Sequence, residues 1–241
     1  MTKDSPRNFR YRYDLDGLRG IAIGLVVIYH VFVGRVSGGV DVFLLLSGYF
    51  FLGSQLRYAG KPNASLNPWW PIWRTLRRLV PSLVLVIGVT YILVRLFTPQ
   101  LMRTEFTQQI TATMLYYQNW ELARQNADYT AAAADTSPLQ HMWSMSVQGQ
   151  FYLMGIAFAL ILAAIMKLRP QESSLRTSRF PTVNQIAGPI LIVVTIASFA
   201  YASRHGLHGT PENYYSTWSR AWELTLGARW THDERKITQT A

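Results

Sequence analysis

Long apolar runs separated by short polar, mostly basic connections dominate the chain. Five of them read as membrane spans: 16–36, opening with DGLRGIAIGLVVIYH; GGVDVFLLLSGYFFLG at 38–53; LVPSLVLVIGVTYILVRLF at 79–97; FYLMGIAFALILAAIM at 151–166; and IAGPILIVVTIASFAYA at 186–202. Each approaches the ~20 residues a helix needs to cross a hydrocarbon core, with tilt or local thinning taking up the difference. A sixth, weaker run is WSRAWELTLGARW at 218–230. One run of this length could be the core helix of a soluble protein, but five in 241 residues leave too little polar chain to cover such a core. The predicted fold class is all-α, a polytopic transmembrane helix bundle of about five to six spans.

Charge orients the spans. The chain has 23 Lys+Arg against 13 Asp+Glu, a formal +10, and the excess is clustered. Lys3, Arg7, Arg10 and Arg12 precede the first span; Arg57, Lys61, Arg74, Arg77 and Arg78 lie between the second and third; Lys167, Arg169, Arg176 and Arg179 follow the fourth. Basic-poor connections at 34–38 and 98–146 alternate with them, which predicts a multi-pass cell-membrane protein with a cytoplasmic N-terminus. The basicity is thus mostly topology; the bilayer is the expected partner and nucleic acid is not. MTKDSPRNFRYRYDLD has no cleavable signal pattern, and the absence of cysteine excludes thiol catalysis and disulfides. The organisation expected is a cytoplasmic segment 1–15, a membrane domain 16–230 and a polar tail 231–241, whose ending reads as a cut. Within 98–146, TEFTQQITATMLYYQNWELARQ suits an amphipathic helix on or in the membrane, and ADYTAAAADTSP a loop.

Ionisable residues inside apolar runs then stand out. Arg19 and His30 are eleven residues apart, so on a helix they share a face about 16 Å apart along the axis. Asp41 follows in the next span. Separately, Arg19 could snorkel, His30 could bond a backbone carbonyl and Asp41 could cap a helix. Together they favour function, because intramembrane ionisable groups are costly. A second cluster, PLQHMWSMSVQGQFY at 138–152, brings His141, Trp143, Gln150 and Tyr152 to the entry of a span. Its aromatic members could be interfacial anchors, but so many hydrogen-bonding groups suit a polyhydroxyl acceptor. The five histidines show no metal-ligand spacing, so no metal is expected.

The series YDLDGLRGIAI, the Arg19–His30 pair, GGVDVFLLLSGY, Arg77-Arg78 followed by Pro81, HMWSMSVQGQFY and YYSTWSRAWELTLG resembles the acyltransferase-3 family of integral membrane O-acyltransferases. The resemblance covers residues 13–230, the N-terminal part of a fold that in the family continues through about ten spans. It implies transfer of an acyl group, commonly acetyl, from a coenzyme A thioester to a hydroxyl of a cell-envelope carbohydrate or glycolipid, with His30 the catalytic residue paired with Arg19. Where the family has two glutamates, this chain has Gln148 and Gly149.

The chemistry is consistent with that resemblance. Acyl transfer needs a base for the acceptor hydroxyl and donors for an oxyanion. His30 is the natural base and Asp41 could orient its ring. Arg74, Arg77 and Arg78 could hold the phosphates of acetyl-coenzyme A, a co-substrate and not a bound cofactor, although topology alone would also explain them. His141, Trp143, Gln150 and Tyr152 would border the acceptor on the opposite side. Two other readings stay open: a transporter or flippase-like protein, and an inactive acyltransferase fragment that works only when the later spans are supplied.

Overall fold

The computed structural model describes residues 13–28, 32, 38–61, 63–127, 137–168, 182–204 and 210–240, with side chains described as far as 230. The elements in order are α1 (Tyr13–Ile28), α2 (Gly39–Ala59), α3 (Trp69–Phe97), α4 (Thr104–Met114), α5 (Gln118–Arg124), α6 (Trp143–Lys167), α7 (Val183–Ser203), α8 (Pro211–Tyr215) and α9 (Thr217–Thr240). Among the described residues there is no strand.

Four stretches, Gly39–Ala59, Trp69–Phe97, Gln140–Lys167 and Val183–Ser203, are long and apolar enough to cross a membrane. The first expected span is helical over α1, and most of 29–36 lies outside the described residues. Lipid-facing surfaces are apolar, as a membrane demands: Leu85, Leu96 and Phe97 of α3 and Val193 and Ile196 of α7 are all more than half exposed. Helix α3 starts ten residues before its apolar run. Arg74, Arg77 and Arg78 end hydrophobicity without ending helicity, since arginine is a good helix former. Pro81 sits inside α3 and leaves the Arg77 carbonyl without its helical donor.

Local chemistry fixes the other ends. Thr182 and Gln185 form a capping box at the start of α7, with the Thr182 N–H donating to Gln185 Oε1 at 2.6 Å. Tyr116 and Asn126 take left-handed φ values of 59° and 52° just beyond α4 and α5, turning the chain back on itself.

The sixth expected run is a helix, but its composition is not that of a free-standing span, since α9 carries Arg220, Glu223 and Arg229 before its polar end. Its first half lies inside the bundle, against α2 and α7. Leu224 and Ala228 are fully buried, and Gly48 and Gly227 make the crossing with α2 possible. A Cβ on Gly48 would collide with the Leu224 backbone, and one on Gly227 with the Leu45 carbonyl. Between α7 and α9, Ser198 Oγ donates to the Trp218 carbonyl at 2.5 Å and accepts from the Trp222 N–H at 2.8 Å. A hydroxyl thereby bridges the Trp218 carbonyl and the Trp222 N–H, two groups of the i→i−4 ladder of α9. Thr195 and Thr225 add a hydroxyl pair at 2.8 Å.

Gly48→Ala should therefore force α2 and α9 apart at a cost of about 1–3 kcal/mol or more. Gly88→Ala, on an α3 surface where an added Cβ meets nothing within 4 Å, should be neutral or slightly stabilising. Thermal unfolding of both variants in one detergent checks this; equal midpoints would contradict the close crossing.

Candidate active site

Helices α1, α2, α3 and α6 enclose a cavity of about 570 Å³, within the size range of small-molecule sites. Helix α2 contributes a stripe of Phe43, Ser47, Phe50, Phe51 and Ser54, which the helical period puts on one face. Four arginines line the cavity, Arg19 from α1 and Arg74, Arg77 and Arg78 from α3, and no carboxylate is among the described lining residues. So many like charges in one partly enclosed space call for an anion, and arginine matches phosphate oxygens with paired donors. Arg19 is clamped between aromatic rings, its guanidinium carbon 5.5 Å from the Phe43 centroid and 5.7 Å from that of Phe50.

The polar floor is built by α6 against α2. Gln148 Nε2 donates to Ser47 Oγ and to Tyr152 Oη, both at 2.7 Å, while Ser47 donates its own proton to the Phe43 carbonyl at 2.8 Å. The Tyr152 ring stacks on Phe51 with centroids 3.8 Å apart.

A second charged group ties the start of α2 to α9. Arg220 Nη1 lies 2.9 Å from Asp41 Oδ1 and 2.9 Å from Glu223 Oε1, and its Nε donates to the Tyr214 carbonyl at 3.1 Å. The guanidinium also stands 4.6 Å from the Tyr214 ring and 5.4 Å from that of Trp143. Side-chain exposure falls from 47% at Asp41 to 15% at Arg220 and 1% at Glu223, so the group leads from an accessible carboxylate to a buried one. The second Glu223 oxygen, Oε2, has no hydrogen-bond partner among the described residues.

The segment 138–152 does not act as one surface. Along a helix Gln150 and Tyr152 point about 200° apart, whereas Trp143 and Gln150, seven residues apart, share a face. Tyr152 accordingly lies in the arginine cavity, and Gln150 turns toward α5 and α9. Its Oε1 accepts from Trp120 Nε1 at 3.2 Å and Thr217 Oγ1 at 2.5 Å. Its Nε2 donates to the Tyr116 carbonyl at 2.7 Å and Asn119 Oδ1 at 2.8 Å. All four hydrogen-bonding positions of that amide are filled by protein. Trp143 is fully buried against Tyr214 and Tyr215, and His141 is exposed. Gly149 faces Tyr116, whose ring occupies the space any side chain at 149 would need. Near this clasp but outside the spans, a hydrogen bond from Arg124 holds the Glu121 carboxyl below the usual range, against the effect of desolvation.

Of the residues singled out in the sequence, the structure thus gathers Arg19, Arg74, Arg77, Arg78 and Tyr152 in one cavity. Asp41 pairs with Arg220 and is not among the residues lining that cavity, and His30 lies outside the described residues. Sequence reasoning noted Gln148 as a departure from the family but passed over Ser47, Arg220 and Glu223. An Arg–Glu pair at i, i+3 in a weakly apolar run was a signal for the last two, because such groups are costly in a membrane.

The fold and the cavity define a polytopic membrane protein whose helices enclose a strongly cationic, polar-floored site. The chain belongs to the acyltransferase-3 family: the family's acyltransferase domain matches residues 12–228. Among curated relatives, YrhL of Bacillus subtilis strain 168, provisionally named a peptidoglycan O-acetyltransferase, is 30% identical over 226 residues, 92% of this chain and 33% of its own. The O-acetyltransferase OatA of Staphylococcus aureus strain NCTC 8325 is 33% identical over 68% of this chain and 27% of its own. The peptidoglycan O-acetyltransferase OatA of Listeria monocytogenes strain EGD-e is 32% identical over 69% of this chain and 27% of its own. The chain therefore spans about a quarter to a third of the length of the curated relatives it matches. No solved structure matches it.

Proposed function

We propose that the protein is a membrane O-acetyltransferase that takes an acetyl group from acetyl-coenzyme A and delivers it to a hydroxyl of a cell-envelope glycan. The observation that carries this reading is the convergence of Arg19, Arg74, Arg77 and Arg78 on one cavity with a neutral polar floor. Topology alone asks for basic residues near the cytoplasmic face; it does not ask them to meet an arginine of another helix between two phenyl rings. The arginines bind the phosphates of the donor from the cytoplasmic side, and the acetyl thioester extends toward Ser47, Gln148 and Tyr152. Peptidoglycan is the acceptor that the relatives' names point to, reached from the opposite side of the membrane.

In the reaction the acceptor oxygen attacks the thioester carbonyl carbon as His30, assigned by family resemblance, removes its proton. The tetrahedral oxyanion collapses with loss of the C–S bond, and the coenzyme A thiolate takes up the proton held by His30. A thioester is already activated, so positioning and charge stabilisation supply most of the rate.

The test is transfer from acetyl-coenzyme A labelled in the acetyl group. Membranes containing the protein should place alkali-labile label on peptidoglycan glycan. A protein that moves intact solutes would leave donor and acceptor unchanged, and that result would refute the acyltransferase reading.

A further inference from the structure

We infer that Gln148 sets the direction of the Tyr152 hydroxyl, so that Tyr152 donates a hydrogen bond to the thioester carbonyl of the donor. The inference rests on the acyl-coenzyme A reading and adds a residue that contacts the reacting group, Tyr152, and one that positions it, Gln148.

Ser47 gives its proton to the Phe43 carbonyl, so its oxygen must be the acceptor for Gln148. That contact fixes the Gln148 amide with its NH2 toward the two hydroxyls, and Tyr152 Oη becomes the acceptor of the second N–H. The phenol proton then points away from Gln148; Ser47, also in hydrogen-bonding contact with the phenol, accepts it within the protein until a carbonyl enters the cavity. Stacking on Phe51 holds the ring plane, and Tyr152 lines the wall of the arginine cavity.

Ser47 and Gln148 are both buried, whereas Arg74 and Arg77 are exposed, so the hydroxyl floor is the inner end of the cavity and the arginines its mouth. A donor anchored by phosphates at the mouth presents its acyl end to the floor. A preorganised O–H at that point acts on the charge that develops on the carbonyl oxygen.

A glutamate at 148 would accept where Gln148 donates. It would draw the Tyr152 proton to itself and leave the carbonyl without this donor.

The experiment is isotope-edited infrared difference spectroscopy of carbonyl-13C acetyl-coenzyme A bound at saturation to the purified protein, which needs binding but not turnover. In the parent the carbonyl band should move to lower wavenumber than in water-free reference solvent. Tyr152→Phe and Gln148→Glu should both lose that shift, while Gln148→His, which can still donate to Tyr152, should keep part of it. Donor affinity should change by no more than the ~10-fold that one neutral hydrogen bond is worth. Saturable binding with the same carbonyl band in parent and Tyr152→Phe would overturn the inference and leave the donor reading standing. Absence of saturable donor binding in the parent would overturn both.

Discussion

Replacing Arg220 with methionine should cost the folded protein about 3–5 kcal/mol, because it strips the partner from a carboxylate already removed from solvent. Glu223 is 1% exposed and its Oε1 lies 2.9 Å from Arg220. With the guanidinium gone, the carboxyl would have to take up a proton or drag water inward, and Asp41 would lose its link to α9. The same cation stands over the Trp143 and Tyr214 rings, so packing is lost as well. Thermal unfolding in detergent should show a large fall in midpoint. Adding Asp41→Asn and Glu223→Gln to the Arg220→Met variant should recover much of it, since removing a whole buried charge group is far milder than removing one member. An unchanged midpoint in Arg220→Met alone would mean that Asp41 and Glu223 do not depend on this cation.

His30→Ala should lower acetyl transfer by about 10²–10⁴-fold, the usual contribution of a general base, with membrane insertion intact. Arg19 supplies the structural setting for this expectation, since it faces α2 inside the cationic cavity on the helix that leads toward His30. Transfer measured at saturating donor separates loss of the base from loss of binding. Retention of more than about a tenth of the rate would take His30 out of that role.

The spans were legible because apolar length is a local property. GGVDVFLLLSGYFFLG, FYLMGIAFALILAAIM and IAGPILIVVTIASFAYA each coincide with the body of a membrane-length helix. The start of α3 was less so, because Arg74, Arg77 and Arg78 look like the end of a span in a hydropathy profile yet project from a continuous helix. Helix α9 is the harder case. Its polarity is tolerated because Gly48 and Gly227 admit it to the bundle and because Asp41, Ser198 and Thr195 meet its polar groups, all of them contributed by distant segments.

The site was legible by residue type and not by grouping. Arg19 and Arg78 are far apart in sequence, and nothing local states that they share a cavity. In PLQHMWSMSVQGQFY the dense polar residues read as one face toward an acceptor, while the helical period divides them, Tyr152 and Gln148 into the cavity and Gln150 into a clasp with Asn119, Trp120 and Thr217. Gly149, a departure from the family's glutamate, has a physical counterpart in Tyr116, which fills the space a side chain would take.

The central claim is that the arginine-lined cavity holds the acyl-coenzyme A donor, and equilibrium binding of acetyl-coenzyme A to the detergent-purified protein tests it most directly. Binding should be saturable, displaced by coenzyme A, weakened by salt as screened charge pairs require, and lost when Arg74, Arg77 and Arg78 are changed together to glutamine. Equal affinity in parent and triple variant, or binding indifferent to salt, would contradict it.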